Sequence, residues 1–252
     1  MGALHEGHAS LIRRARAECG HVVVSVFVNP LQFGPNEDFD RYPRTLDADC
    51  EIAAEAGADL VFAPDAEEMY PAGFQTAVSV GPLAERLCGL NRPGHFDGVT
   101  TVVCRLFGMM APDRAYFGQK DFQQVAVIRR MVADLAMPVE VVSCPIVREP
   151  DGLAMSSRNR YLSADERQRA LALCGALAGV RERFRRGELN AGAALEAMAV
   201  ELNAVGAEID YLAACDPDSL EPVECLRSGT VLLVAARVGV TRLIDNLVLG
   251  EP

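Results

Sequence analysis

The 252 residues are 50% hydrophobic, which suffices to bury a sizeable core and excludes a disordered chain. A formal net charge of -11 with no run of basic residues excludes a nucleic-acid footprint, so any anionic substrate must be met by a local cluster of cations. The longest apolar runs, Val22 to Val28 and Val231 to Ala236, are too short to span a bilayer, and no charged-then-apolar leader precedes the first motif. The chain is therefore expected to stay in the cytoplasm and to act on neither membrane nor nucleic acid.

The opening residues, MGALHEGH, place His5 and His8 three apart on an opening helical turn, where they share a face. Gly7 lets a phosphate approach a backbone whose unpaired N–H groups and helix dipole favour anions. Incidental helix histidines are the alternative. A metal site is the weaker reading, because a third ligand and HExxH spacing are both missing, and no metal ligand is assigned. His21 to Val28 (HVVVSVFV) is a near-continuous β-branched run, predicted as a strand buried on both faces of a parallel sheet. Asn29-Pro30-Leu31-Gln32-Phe33 then leaves its carboxyl end, where α/β folds bind ligands. Neutral amides there suit hydroxyl or carboxylate groups, and they would hold a carboxylate nucleophile without the strong ion pairing that blunts its attack on phosphorus. A polar turn is the alternative.

Helical patterns follow at Leu46 to Ala56 and Val99 to Met110, with strands at Asp59 to Ala63, Arg114 to Phe117 and Val139 to Val147 and a helix from Asp121 to Leu135. This alternation predicts a Rossmann-like, doubly wound α/β domain over residues 1–147. Gly118-Gln119-Lys120-Asp121 leaves a strand end, Asp121 is a natural N-cap, and Gln124 falls one turn on at the same mouth. Lys120 is the only lysine among 24 basic residues. A compact ammonium is retained where a planar guanidinium does not fit, although an accidental surface lysine would look the same in sequence.

Past Val147 the pattern changes. A polar loop carries Met155-Ser156-Ser157-Arg158-Asn159-Arg160, whose hydroxyls, backbone donors and guanidiniums suit phosphate, or which is simply solvated. Ser163-x-x-Glu166 is a capping box opening a helix to about Arg186, and Asn190 caps another through about Val205. Strands are expected at Ile209 to Leu212, Thr230 to Ala236 and Thr241 to Leu249, giving a smaller C-terminal α+β domain over residues 148–252. Eight scattered cysteines without a CxxC pair read as reduced thiols. With no GxSxG elbow, no P-loop and no cysteine beside a histidine, covalent catalysis is not expected.

In order, MGALHEGH, FVNPLQFGPNED, YPRT, RPGHFDGV, YFGQKDFQQ and IVREPDGLAMSSRNRYL resemble the pantothenate synthetase (pantoate–β-alanine ligase) family of the HxGH nucleotidyltransferase superfamily. The resemblance spans most of Met1 to Leu162; beyond it only YLxxxER and TRLIDN look familiar. It implies ATP-dependent condensation of pantoate with β-alanine through a pantoyl adenylate, releasing AMP and pyrophosphate, with Mg²⁺ required and a homodimeric assembly. By residue, it implies that Met1, Gly2, His5 and His8 bind ATP, with His8 the main catalytic histidine and His5 and Lys120 beside it. Gly118, Lys120 and Asp121 would also contact ATP, Val147 would lie near adenine, and Met155, Ser156, Ser157 and Arg158 would form a flexible phosphate loop. Gln32 is implied for pantoate and β-alanine and Gln124 for pantoate, and Asn29, from the same strand end as Gln32, joins the substrate-binding set. The family's usual strand and Pro-Thr before Met1 are not in the sequence, and the reading frame is expected to extend upstream by roughly 20 to 30 residues to supply them. Two rivals are another HxGH enzyme, such as a nucleotide adenylyltransferase, and a nucleotide-binding protein without turnover.

Overall fold

The computed structural model describes residues 2–35, 37 and 39–251. The chain divides into two compact units, Met1–Gln119 with Gln123–Val147, and Lys120–Phe122 with Arg148–Pro252.

In the first unit, α1 (Glu6–Glu18) buries Ala9, Leu11, Ile12 and Ala15, a helical spacing that presents one apolar stripe. It packs over β1 (Val23–Ser25), together with α2 (Leu46–Glu55), through Leu4, Val24, Ala53 and Ala56. β1 runs parallel to β2 (Leu60–Phe62), with Val24 opposite Val61. The strand predicted from His21 to Val28 is thus cut to three residues, and its burial on both faces does not hold. Val24 is 2% exposed beneath the helices whereas Val23, on the opposite face, is 45% exposed. Successive side chains alternate faces, and among the described residues the helices cover the Val24 face.

Three short helices, α3 (Ala66–Met69), α4 (Pro82–Glu85) and α5 (Cys88–Asn91), then lead to α6 (His95–Met110). The sequence pattern starts this helix at Val99. It begins a turn earlier because Gly94, at a φ of 79°, adopts the left-handed conformation that turns the chain into the helix. Beyond it, β3 (Arg114–Gly118) pairs in parallel with β4 (Glu140–Cys144) across α7 (Phe122–Asp134). Val99, Val102 and Val103 of α6 pack on Ile128 and Met131 of α7. Complete burial of such side chains contributes about 1.5–3 kcal/mol each. Each parallel pair is one strand–helix–strand crossover, and no ladder joins the two pairs among the described residues. The expected parallel α/β layer is present, its strands forming two hydrogen-bonded pairs among the described residues.

The second unit follows its local cues closely. Ser163 and Glu166 form the capping box of α8 (Ala164–Arg185), and the Asn190 side chain accepts the Ala193 N–H at the start of α9 (Ala191–Ala204). β5 (Glu208–Cys215), β6 (Val231–Val238) and β7 (Thr241–Val248) form an antiparallel sheet in that order. Leu232, Val234, Ala236 and Val238 pack with Leu173, Leu177, Met198 and Leu202 of the two helices. No helix among the described residues is long and apolar enough to cross a membrane.

Candidate active site

His5 is the N-cap of α1, in extended conformation, and its Nδ1 accepts the Gly7 N–H at 3.1 Å. His8, the third residue of the helix, returns the bond: its Nδ1 accepts the His5 N–H at 3.3 Å. Two histidines thus make the reciprocal cap that Ser and Glu usually make. The rings lie 4.1 Å apart between centroids. A backbone N–H is always a donor, so each Nδ1 is the acceptor, and each neutral ring carries its proton on Nε2. Sequence alone leaves this tautomer open; the cap geometry assigns it. Both Nε2–H groups belong to a helix N-terminus, where the dipole favours anions. The turn is fixed from α2, because Asp49, 1% exposed, accepts the Ala3 N–H at 3.0 Å and the Leu4 N–H at 2.7 Å. A Cβ on Gly2 would touch Val28 at 3.4 Å, which sets this turn beside the strand end that leads into Asn29. Met1 lies outside the described residues.

Gln32 ends a short 3₁₀ turn, Pro30–Gln32, capped by Asn29. Asn29 is 3% exposed and its amide is engaged within the protein: Oδ1 accepts the Leu31 N–H and the Tyr70 hydroxyl, while Nδ2 donates to the Gly98 carbonyl and to Gln32 Oε1 at 3.1 Å. With Gln32 Oε1 so held, its Nε2 is the end left to present donors. Burial pushes the Tyr70 hydroxyl up to about 12 despite nearby Arg105, so it stays a donor. The Gln32 carbonyl accepts His95 Nδ1 at 2.8 Å and the Arg92 guanidinium at 3.3 Å, and Arg92 also donates to Glu37 Oε1 at 2.6 Å. Burial alone would raise the Glu37 carboxyl, but hydrogen bonds and charge from Arg92, helped by His95, hold it below the usual range. Gly98 lies so close beneath the Leu31–Gln32 peptide that a Cβ there would collide with it. On the same unit, Gly118 closes β3, and Gln124 lies half-buried in the first turn of α7.

Lys120 and Asp121 belong to the second unit. They lie within a 3₁₀ turn, Gln119–Asp121, so Asp121 precedes α7 from inside that turn rather than as the predicted N-cap. The Lys120 ammonium is 3.8 Å from the Asp121 carboxylate, and its side chain is 21% exposed. Val147, half-buried, ends the first unit. Arg148 then opens a hairpin that bridges back to Ala154 and turns at Gly152, φ 98°. Met155, Ser156, Ser157 and Arg158 follow, all half-buried. Ser156 Oγ accepts the Arg158 N–H at 3.3 Å and caps a 3₁₀ turn over Ser157–Tyr161. Asn159 ties that turn back to Glu149 at 2.5 Å and to the Ala154 carbonyl. Ser157 and Arg158 of the expected phosphate loop thus open a 3₁₀ turn capped by Ser156.

The Pantoate-beta-alanine ligase family matches this chain over residues 1–248. The chain belongs to that family. Pantothenate synthetase of Trichlorobacter lovleyi is 55% identical over 252 residues, covering 100% of this chain and 89% of that relative. That of Acidobacterium capsulatum is 57% identical, covering 100% and 84%. The crystal structure of pantothenate synthetase from Thermus thermophilus superposes with a TM-score of 0.95 at 54% identity, covering 98% of this chain and 90% of that one. A pantoate–β-alanine ligase from Francisella tularensis, complexed with β,γ-ATP and β-alanine, gives 0.81 at 35%, covering 100% and 88%.

Within this ligase frame, several supporting residues carry no signal that singles them out in sequence. Arg92 and His95 lie in the RPGHFDGV stretch, where conspicuous polar residues are visible but their target is not. Asp49 and Tyr70 have no local signature, and Asn246, although it ends the TRLIDN element, gives no sign of its target, because each acts on backbone or side chains far away in sequence.

Proposed function

We propose that this chain joins pantoate to β-alanine at the expense of ATP, through pantoyl adenylate. The observation that carries the reading is the family match across residues 1–248, and the paired-histidine cap at a helix N-terminus, with its ring protons on Nε2, supports it. In the first step a pantoate carboxylate oxygen attacks the α-phosphorus; the new P–O bond forms as the bond to the β-phosphate breaks, and pyrophosphate leaves. His8 and His5, by donating from Nε2, stabilise charge developing on the phosphate oxygens, as does Lys120, with the Ser156, Ser157 and Arg158 turn. In the second step the neutral amine of β-alanine attacks the acyl carbon, the bond to the AMP oxygen breaks, and a proton is released. Positioning and charge stabilisation suffice for both, and no enzyme nucleophile is needed.

Gln32 is assigned to hold pantoate and β-alanine, and Gln124 to hold pantoate. Asn29 is assigned mainly to orient the Gln32 amide, since its own groups are engaged inside. Gly2, Gly118, Asp121 and Val147 are assigned to ATP. Residues 1–147 are assigned as the nucleotide- and pantoate-binding domain, with Lys120–Phe122 packed in the second unit, and 148–252 as a smaller domain. Magnesium would be carried by the triphosphate oxygens and water, an arrangement that needs few protein ligands. Among the described residues no group of three or more His, Cys, Asp or Glu is placed to cage a metal, so no step is assigned to it. A homodimer in the cytoplasm is proposed with the family; the free thiols suit a reducing compartment.

The test is product analysis with ATP, pantoate and β-alanine: AMP must appear in step with an amide and only when the amine is present. A dinucleotide product would make the chain an adenylyltransferase instead, and nucleotide binding without turnover would make it a binding protein.

A further inference from the structure

β7 contains two buried polar residues in sequence, Asp245 and Asn246, 3% and 1% exposed. Burying a carboxylate and an amide in a strand is unfavourable unless both are hydrogen-bonded, so their partners indicate what the strand is built to hold. Asp245 takes the Arg148 guanidinium in a two-point pair, at 2.7 and 3.0 Å, and Arg148 also donates to the Gly152 carbonyl. This fixes the root of the hairpin that carries Met155 to Arg158. Asn246 Nδ2 donates to the Lys120 carbonyl oxygen at 2.9 Å. That carbonyl only accepts, so the amide's orientation is set by chemistry. β7 also packs on the Ser157–Tyr161 turn.

We propose that Asn246 is a positioning residue for Lys120, and that β7 is the mount from which both the lysine and the following hydroxyl-bearing turn are held. The lysine stem is long and flexible, so the ammonium is placed only as well as its Cα is. The Asn246 bond holds the peptide next to that Cα from a strand more than a hundred residues away. The inference rests on Lys120 acting on phosphate, as proposed above.

Pantoate-dependent pyrophosphate release on the full chain tests it, using Lys120→Ala, Asn246→Ala, Asn246→Ser and the double variant Lys120→Ala/Asn246→Ala. The two Asn246 variants leave different atoms in the strand but both lose the bond. Each, where its melting curve shows it folded at the assay temperature, should lower kcat about tenfold or more with the KM for pantoate within about twofold. In the Lys120→Ala background, removing Asn246 should change kcat no further. An equal additional loss in that background, with Lys120→Ala itself defective, overturns the inference alone. Full activity of Lys120→Ala would sink the lysine reading and the inference with it.

Discussion

Asp49 Oδ1 accepts the Leu4 N–H at 2.7 Å across 45 residues of sequence, while its other oxygen accepts the Ala3 N–H and Thr45 adds a hydroxyl. Ala3 sits at a φ of 50°, a conformation that costs a side-chain-bearing residue and persists only when its surroundings impose it. The carboxylate is thus what delivers the chain into His5 at the angle the paired cap requires. Asp49→Asn keeps the shape but turns one acceptor into an NH₂ facing a backbone N–H. Leaving such a buried group unsatisfied costs about 1–3 kcal/mol. We expect a lower melting temperature and a kcat for adenylation reduced about tenfold, with the KM for β-alanine unchanged. Parental kcat in a folded Asp49→Asn protein would show that the turn holds without it.

Lys120 and His8 should fail in different ways. Lys120→Arg keeps the charge but substitutes a planar fork for a point charge, and we expect kcat to fall roughly tenfold or more. Turnover at the parental rate would return Lys120 to the status of an ordinary surface cation. His8→Ala removes both an Nε2–H donor and the group that caps the His5 N–H, and the adenylation step should slow by about 10² to 10³. A change confined to KM would reassign His8 to uniform ground-state binding.

Much of the second unit could be read from neighbouring residues alone. Ser163 with Glu166, and Asn190 ahead of an alanine-rich run, are caps whose donors and acceptors lie within one turn, and α8 and α9 start where they indicate. The strands were harder. His21 to Val28 has the composition of a long buried strand, but only three of its residues pair in a ladder, and the Val23 face stays half open. Asp121 resembled a cap because sequence shows residue type and not whether the preceding turn is 3₁₀. Among the candidate functional residues, His5, His8, Gln32 and Lys120 stood out as unusual polar residues at strand ends and a helix start. The targets of their supports did not: Asp49 has no motif around it, and Arg92 and Asn246 lie in recognisable motifs, but the three reach across 45, 60 and 126 residues, separations along which no local periodicity carries information.

The Glu37–Arg92 pair gives a pH dependence with a defined sign. The folded carboxyl is held below its ordinary value, so the folded state binds fewer protons than the unfolded one in the acid range. Its stabilisation is complete above the unfolded value, about 4.3, and is lost as pH falls through the lower folded value. Glu37→Gln should therefore melt below the parent at neutral pH, with the gap closing as pH falls below about 4. Melting curves of both proteins from about pH 7 to about pH 3 check this; a gap that does not change with pH would mean the pair's charge contributes nothing to stability.

The proposed order, adenylation of pantoate before the amine enters, is open to a direct measurement. Exchange of labelled pyrophosphate into ATP measures that step alone, with β-alanine left out. Exchange should require pantoate and Mg·ATP and need no amine. Equal exchange without pantoate, or none while AMP and amide still form on adding β-alanine, would contradict it.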